Sequence, residues 1–218
     1  WLGEAIGVDE LIYYMFSDRH RQKPDPDRRY DRIYIGGDYG QQNATTFEAF
    51  GLDTYRKKFP GLGEYYHSGR ESGRQKSPSE NRIFYIFLDP SAKGLAEEVK
   101  RATRTGLDYQ VLLRDAENDV ALGISRVQKA LVFDIMSISP KQEYAVQEFG
   151  TYEYDKKSIE KGKEVPVKEA DHCMDAIRYV VMGAWSNIKH WLPLDIVEDD
   201  VNIGDIGSRE VREEDEYL

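Results

Sequence analysis

The alternation of hydrophobic and polar positions predicts a group of strands in the first half of the chain. Residues 32–35 are apolar and β-prone, a glycine pair interrupts the pattern, and residues 45–52 resume it with β-branched and aromatic side chains. These segments predict two adjacent antiparallel strands, and residues 63–68 predict a third. The run IFYIFL at 83–88 is continuously apolar, which is typical of a strand buried on both faces. We therefore expect it to be the central strand.

Helical patterns alternate with short β-prone segments in the second half. Start and stop signals predict helices at 93–105, 118–130 and 139–149, and strands between them at 109–113 and 132–135. This alternation is typical of an α/β fold with a partly parallel sheet.

Two further elements are predicted after residue 150. Residues 151–168 have two β-prone arms around a charged centre with Gly162 at the turn, which predicts a charged β-hairpin. Residues 169–188 form the clearest helix, because apolar residues recur along one side at helical spacing: Cys173, Ile177, Val180, Val181 and Ala184. The opposite side carries Asp171, His172 and Asp175.

Composition and charge narrow the class of protein. The chain has 218 residues with 40% hydrophobic content, enough for one main folded unit, and no apolar stretch reaches the roughly 20 residues of a membrane span. Its single cysteine, Cys173, has no partner for a disulfide or a zinc cluster. The net charge of -10 is concentrated after residue 194, where the sequence contains ten acidic residues and only two arginines. We expect an N-terminal segment and linker at 1–31, a main domain at 32–190 and an acidic tail at 191–218.

Three aspartates occupy positions that suit a metal site. Asp38 follows the first strand, Asp89 ends the central strand and Asp175 lies on the last long helix. Strand ends meet at the rim of a sheet, where ligand sites of α/β proteins usually form. Mg²⁺ and Mn²⁺ prefer oxygen ligands, and two such ions about 4 Å apart can clamp the attacking and leaving oxygens of a phosphodiester. The three aspartates therefore predict a centre for phosphodiester hydrolysis.

The helix supplies two further candidates beside Asp175. His172 and Asp175 are three positions apart and Asp171 is four positions away, so all three are neighbours on a helix surface. His172 is a candidate metal ligand or proton carrier, and whether His172 or Asp171 is a direct ligand stays open. Each residue also has a structural alternative, because Asp89 can simply end a strand, Asp38 can serve a turn, and the helix residues can form a solvated face. The joint order of these residues favours a shared site.

Three motifs resemble the nuclease domain of bacteriophage terminase large subunits. They are IYIGGDYG on the first strand, IFYIFLDPSA at the end of the central strand and EADHCMDAIRYVVMGAW on the late helix, and the DHxxDAxRY pattern is the most specific part. The resemblance covers about residues 32–185 and points to phages that package double-stranded DNA by a headful mechanism.

The resemblance implies an RNase H-like mixed β-sheet flanked by helices, to which the predicted hairpin is an addition. It implies an endonuclease that cleaves viral DNA concatemers during packaging, in which Asp38, Asp89 and Asp175 bind two Mg²⁺ or Mn²⁺ ions; His172 matches a histidine beside the last acid in some members. It also implies an ATPase domain in the full-length chain, a terminase small subunit and a portal protein as partners, and a place in the host bacterial cytoplasm at the procapsid.

The chain departs from related enzymes in two respects. It has no GxxxxGK[ST] phosphate loop and begins at Trp1, so we expect the ATPase domain to precede it. Residues 69–82 lack room for the helix that carries a further acidic ligand in many RNase H-like enzymes, so neither Glu71 nor Glu80 is assigned as a ligand. Basic residues of this Gly- and Ser-rich loop are instead predicted to contact DNA phosphates, without reading bases: Arg70, Arg74, Lys76 and Arg82.

The sequence leaves three other functions open. One is a different RNase H-like nuclease of the resolvase or transposase type, which substrate shape would distinguish. Another is an actin-like ATP-binding fold with GGDYG as its phosphate loop, for which the chain is short. The third is a non-catalytic module whose acidic tail docks on a portal or partner subunit, and metal binding would discriminate against it.

Overall fold

A computed structural model of the chain describes residues 11–30, 32–39, 45–67, 83–103 and 110–198. These residues form an α/β fold around a single mixed sheet of six strands in the order β5-β4-β1-β2-β3-β6. The strands are β1 Arg32–Tyr39, β2 Thr45–Gly51, β3 Phe59–His67, β4 Ile83–Leu88, β5 Gln110–Asp115 and β6 Met136–Ser137. Strand β2 is antiparallel to both β1 and β3, while β4 is parallel to β1, β5 to β4 and β6 to β3.

The described residues also form six α-helices. They are α1 Lys93–Ala102, α2 Val120–Val132, α3 Glu143–Phe149, α4 Lys156–Ile159, α5 His172–Ile188 and α6 Leu194–Glu198. Helix α5 packs across β1, β2 and β4 and is flanked by α2 and α3. Its predicted apolar side is fully buried, because Cys173, Ile177, Val180, Val181 and Ala184 are at most 1% exposed. Within the described ranges, no helix has the length and apolar character needed to cross a membrane.

Two glycines let α5 lie close to the sheet. A Cβ atom on Gly36 of β1 would stand 1.9 Å from the carbonyl oxygen of Ala176, and one on Gly183 would stand 2.2 Å from the ring of Phe87 on β4. Any larger side chain would push the helix away from the sheet. The glycine at position 36 therefore sets the distance between β1 and the first half of α5, where the predicted site residues lie.

The predicted β-hairpin at 151–168 is wrong in its detail. Its arms meet at a single antiparallel bridge between Tyr154 and Pro166, and α4 lies between them. The Asp155 side chain caps this helix by accepting a hydrogen bond from the amide of Lys157. Pro166 has no amide hydrogen to extend a ladder. Strand pairing is therefore limited to the surroundings of this bridge, and a capped helix takes the place of the rest of the hairpin.

The strand predicted at 132–135 is also displaced. Val132 is the last residue of α2, and β6 begins at Met136. Short apolar segments have no periodicity that separates a buried helix end from a strand. The other predicted helices and strands occur, with ends moved by a few residues. The prediction that residues 83–88 form a central strand buried on both faces is wrong: β4 is second from the edge of the sheet, and only its last two residues are fully buried. An apolar run does not fix the place of a strand in the sheet, because that place depends on which strands pair with it.

The described part of the N-terminal segment packs against the domain. Ile12 and Tyr13 are at most 1% exposed and belong to the main hydrophobic core, and Leu11 forms a bridge with Glu153. His20 is buried, with Nε2 3.0 Å from the carbonyl oxygen of Leu131. Whether another domain precedes this segment stays a prediction. Most of the predicted acidic tail lies outside the described residues, apart from α6 and the residues just before it.

Candidate active site

Asp38 and Asp89 stand at the same edge of the sheet on neighbouring parallel strands. Gly37 of β1 is paired with Leu88 of β4, so the next residue on each strand is an aspartate. Side chains alternate along a strand, and Gly36 and Phe87 both pack against α5. The two aspartates, each two positions further on, therefore face α5 as well.

The first turn of α5 is joined to β1 through a histidine and an aspartate. His172 Nδ1 lies 2.7 Å from Asp38 Oδ2, and both side chains are 19% exposed. Burial raises the pKa of Asp38; the hydrogen bond from His172 opposes this shift, and the charges of Asp175 and Asp171 add to it. An ionised carboxylate only accepts hydrogen bonds, so in that state Nδ1 carries the hydrogen and Nε2 is left open. A divalent cation would relieve the repulsion that disfavours the charged form of Asp38.

Asp175 is held by a cation on each of its oxygens. Arg178 Nη2 donates to Oδ1 at 2.6 Å, and this arginine side chain is completely buried. Lys168 Nζ lies 3.2 Å from Oδ2 and also 3.0 Å from Asp171 Oδ2. Asp171 is thus engaged with a lysine at the mouth of the site.

Asp89 is fixed by the loop that follows it and by α5. Its Oδ1 accepts a hydrogen bond from the amide of Ser91 at 2.7 Å, and its Oδ2 accepts one from the hydroxyl of Tyr179 at 3.1 Å. Burial would raise the pKa of Asp89, but the hydrogen bonds from Ser91 and Tyr179 and the charge of Lys168 outweigh burial, so the pKa is lowered. Asp89 is therefore ionised at neutral pH, and its carboxylate oxygens can act as metal ligands.

Tyr179 is the common neighbour of the three predicted aspartates. Burial raises the pKa of its hydroxyl, and the charges of Asp175, Asp89 and Asp38 raise it further. All three carboxylates therefore act on Tyr179 through their charge, although only Asp89 is hydrogen-bonded to it. Among the described residues, however, the three ligand atoms that lie within 4.8 Å of one another belong to Glu48, Glu64 and Cys173, not to the aspartates.

The donor set of the aspartate site suits Mg²⁺ or Mn²⁺. Asp38, Asp89 and Asp175 offer oxygen atoms, and His172 offers a ring nitrogen, on one side of the sheet edge. Hard divalent ions prefer such oxygen-rich sets, and phosphate oxygens of a substrate can complete them. Because the aspartates do not form a compact set, they would have to draw together around an ion.

The sequence did not identify the two residues of α5 that hold Asp175 and Asp89 in place. Arg178 and Tyr179 follow Asp175 by three and four positions, which places both on the same helical face as that aspartate. That spacing was a usable signal, but which carboxylate each side chain would bind depended on the packing of α5 against β4.

A second group of acids, also missed, lies under the start of α5. Glu48 on β2 is completely buried; one of its oxygens accepts from Gln142 Nε2 at 2.7 Å, and the other has no hydrogen-bond partner among the described residues. Burial raises the pKa of Glu48 well above its usual range, because a charged carboxylate is disfavoured away from water. Glu64 on β3 accepts hydrogen bonds from two amides at the start of α3. The alternation of β2, which turns Glu48 toward α5, was the available signal.

Glu148 of α3 caps the start of α5. Its Oε2 accepts hydrogen bonds from the amides of Cys173 at 2.8 Å and Met174 at 3.1 Å. These amides belong to the first turn of the helix, where the backbone leaves donors unsatisfied. Burial raises the pKa of Glu148 to about 7, although these hydrogen bonds favour the charged form.

The predicted DNA contacts Arg70, Arg74, Lys76 and Arg82 lie outside the described residues.

Comparison with solved structures finds large terminases of bacteriophages. The large terminase of one thermophilic bacteriophage is 30% identical with a TM-score of 0.66, over 78% of this chain and 43% of that chain. The P22 large terminase nuclease domain is 16% identical with a TM-score of 0.62, over 87% of this chain and 97% of that one. The large terminase nuclease of a second thermophilic phage, G20c, with bound magnesium is 15% identical with a TM-score of 0.51, over 79% and 96%.

The chain spans less than half the length of the first of these terminases but matches almost the whole of the P22 and G20c nuclease domains. The sequence matches no family model and no curated protein. The similarity to large terminases therefore rests on the solved structures. The chain therefore resembles bacteriophage large terminases in sequence, and its described residues have the RNase H-like fold of their nuclease domain.

Proposed function

We propose that this chain is a divalent-metal-dependent endonuclease that cuts double-stranded viral DNA during genome packaging. The observation that carries the proposal is that all three aspartates meet helix α5 at one edge of the sheet. Asp38 is joined to His172, Asp89 accepts a hydrogen bond from Tyr179, and Asp175 lies on the helix itself. The fold is that of terminase nuclease domains. The G20c nuclease, which shares this fold, has been solved with bound magnesium and with bound cobalt. Oxygen-rich sites of this kind serve phosphodiester hydrolysis.

The roles of the residues follow from their partners. Asp38, Asp89 and Asp175 would hold two Mg²⁺ or Mn²⁺ ions, which when bound supply a polarised water and neutralise charge on the phosphate. His172 orients Asp38 and leaves Nε2 open to bind an ion or to carry a proton. Tyr179 orients Asp89, and Arg178 fixes one oxygen of Asp175 so that the other faces the site. Such support from neighbouring groups is what holds ligands in a productive geometry.

The wider setting is part of the same proposal. The thermophilic-phage terminase that is 30% identical over the matched region has also been solved in complex with ATP-γ-S, and this chain matches less than half of it. We infer an ATPase domain in the full-length protein, with the terminase small subunit and portal as partners, acting at the procapsid in the host bacterial cytoplasm. Cutting should be largely independent of sequence, with Arg70, Arg74, Lys76 and Arg82 on DNA phosphates.

Plasmid cleavage tests the proposal. Incubation of supercoiled plasmid with Mn²⁺ or Mg²⁺ should give nicked and linear DNA, and Asp38→Ala, Asp89→Ala or Asp175→Ala should each abolish cutting, because a lost carboxylate removes a metal ligand. His172→Ala should slow cutting without abolishing it. Asp18→Ala, at a side chain that is 94% exposed, is the control and should cut like the wild type.

Calorimetric titration separates this proposal from a docking module. The wild type should bind Mn²⁺, alone or with DNA present, and the three aspartate variants should bind it more weakly. A protein that neither binds Mn²⁺ nor nicks plasmid under any of these conditions would have a different function. Cutting at the wild-type rate by any one aspartate variant would remove that residue from the site.

A further inference from the structure

Lys168 occupies the mouth of the aspartate site. Its ammonium lies 3.0 Å from Asp171 Oδ2 and 3.2 Å from Asp175 Oδ2. The lysine side chain is 60% exposed, whereas the two aspartate side chains are 10% and 13% exposed. The ammonium therefore reaches from solvent onto two nearly buried carboxylates.

The backbone before Lys168 is anchored, so the position of its stem is not accidental. The amide of Val167 donates to the carbonyl oxygen of Glu153 at 2.9 Å, and Pro166 is bridged to Tyr154. Ala170, two residues later, has a φ of 50°, a left-handed conformation that turns the chain into α5. The lysine is thus held between a fixed strand-like segment and the helix that carries Asp175.

The two oxygens of Asp175 differ in which partner can leave. Oδ1 is bound by Arg178, which has no exposed surface and cannot move without opening the core. Oδ2 is bound by Lys168, whose flexible stem and exposed position allow it to swing away. A divalent ion that uses Asp175 would therefore take Oδ2, the oxygen that the lysine occupies.

We propose that Lys168 is a further catalytic residue, whose ammonium leaves Asp175 when divalent ions bind and then contacts a non-bridging oxygen of the scissile DNA phosphate. This inference rests on the proposed nuclease function. A bound dication repels the ammonium, while the phosphate brings negative charge to the same mouth of the site. The positive charge of the lysine thus compensates the negative charge of the carboxylates before metal binding and that of the phosphate afterwards.

The chemistry gives a cation at this position a role beside the metal ions. In hydrolysis the hydroxyl of a water adds to phosphorus, one P–O bond of the backbone breaks, and the proton of the water ends on the leaving oxygen. Negative charge grows on the phosphate oxygens in the transition state, and a positioned donor there stabilises it. Lys168 stays protonated throughout and takes no part in bond making.

Substitution of Lys168 tests the inference with two readouts. Lys168→Met keeps most of the stem and removes the charge, Lys168→Arg keeps the charge, and Lys163→Met is the control at another exposed lysine of the same segment. In single-turnover plasmid cleavage at saturating Mn²⁺, Lys168→Met should be slower by about 100-fold, the typical loss when one such donor is removed. Lys168→Arg should keep more of the rate, and Lys163→Met should match the wild type.

Metal affinity without DNA is the second readout. Titration of Mn²⁺ should show Lys168→Met binding as tightly as the wild type or several-fold more tightly, because the competing ammonium is gone. A Lys168→Met protein that cuts at the wild-type rate would overturn the inference, and so would weaker Mn²⁺ binding with cutting restored by more Mn²⁺, since Lys168 would then only support the aspartates. A wild-type protein that does not cut would instead overturn the proposed function itself.

Discussion

Asp175 and Asp38 differ in how the surrounding protein compensates their negative charge. Asp175 is paired with a fully buried arginine, whereas Asp38 is paired with a partly exposed histidine and has a raised pKa because of burial. Removal of one partner from a buried ion pair leaves the other charge buried and uncompensated, which lowers stability. Removal of a charge that burial already disfavours leaves no such uncompensated charge. Variants that are equally inactive should therefore differ in stability.

Asp175→Asn and Asp38→Asn test this difference. Asp175→Asn should lower the free energy of unfolding by about 3 kcal/mol at pH 7, because the charge of Arg178 stays buried without its counter-ion. Asp38→Asn should leave stability unchanged or raise it, because the amide oxygen still accepts from His172 and the penalty of a buried charge is gone. Urea unfolding of both variants measures this, and equal losses of stability would contradict the assignment of partners.

At the scale of elements, the site depends on how closely α5 approaches the sheet. Asp38 and Asp89 come from strands, and Asp175 and Tyr179 come from the helix, so the helix-to-strand distance sets the distances between ligands. At Gly36 the helix lies directly against β1, since a Cβ there would overlap the backbone of Ala176.

Gly36→Ala should therefore disrupt both stability and activity. The new Cβ would stand 1.9 Å from a carbonyl oxygen of α5, so the helix must shift, which we expect to cost about 3 kcal/mol in unfolding free energy. Metal binding should weaken too, because Ala176 adjoins Asp175. Gly63→Ala is the matched control, because its Cβ meets nothing within 4 Å, and it should stay within about 1 kcal/mol of the wild type. Thermal unfolding and Mn²⁺ titration give both values, and a fully stable Gly36→Ala protein would argue against this packing.

At the scale of the whole molecule, buried carboxyl groups beneath α5 make stability depend on pH. Glu48 and Glu148 both have raised pKa values because of burial. The folded protein therefore retains protons that the unfolded chain releases. Its stability falls as the pH rises from the pKa of these groups in the unfolded chain to their pKa in the folded protein. This trend is opposite to that of an acid that gains a basic partner on folding.

Glu148→Gln isolates the contribution of one group. The pKa of Glu148 rises from 4.5 to about 7 on folding, so the stability of the wild type relative to the variant should fall by about 3 kcal/mol between these pH values and then level off. The Gln amide oxygen can still accept from the helix amides, so the variant should fold. Glu143→Gln, exposed on the same helix, is the control and should follow the wild type. Unfolding at a series of pH values provides the test, and parallel curves for wild type and Glu148→Gln would refute it.

Local patterns predicted much of the fold. The apolar run at 83–88 forms the strand β4, and the helical spacing from Cys173 to Ala184 forms the buried side of α5. The fold that the three sequence motifs implied is the one observed, but β4 lies second from the edge of the sheet and is not its central strand. The segment 151–168 was predicted less well, because a side-chain cap at Asp155 competes with strand pairing and periodicity does not register caps. The predicted metal ligands share a neighbourhood, but their individual contacts were not predictable.

The sequence by itself determined which segments form strands and helices and which acids stand at their ends, because burial periodicity and strand termination are properties of neighbouring residues. Only the tertiary structure decided that Arg178 and Lys168 divide the oxygens of Asp175, that Tyr179 reaches Asp89, and that Glu148 caps α5. The reason is physical: these contacts depend on the distance and rotation of one helix against a sheet. That geometry is set by the packing of many residues distant in the chain.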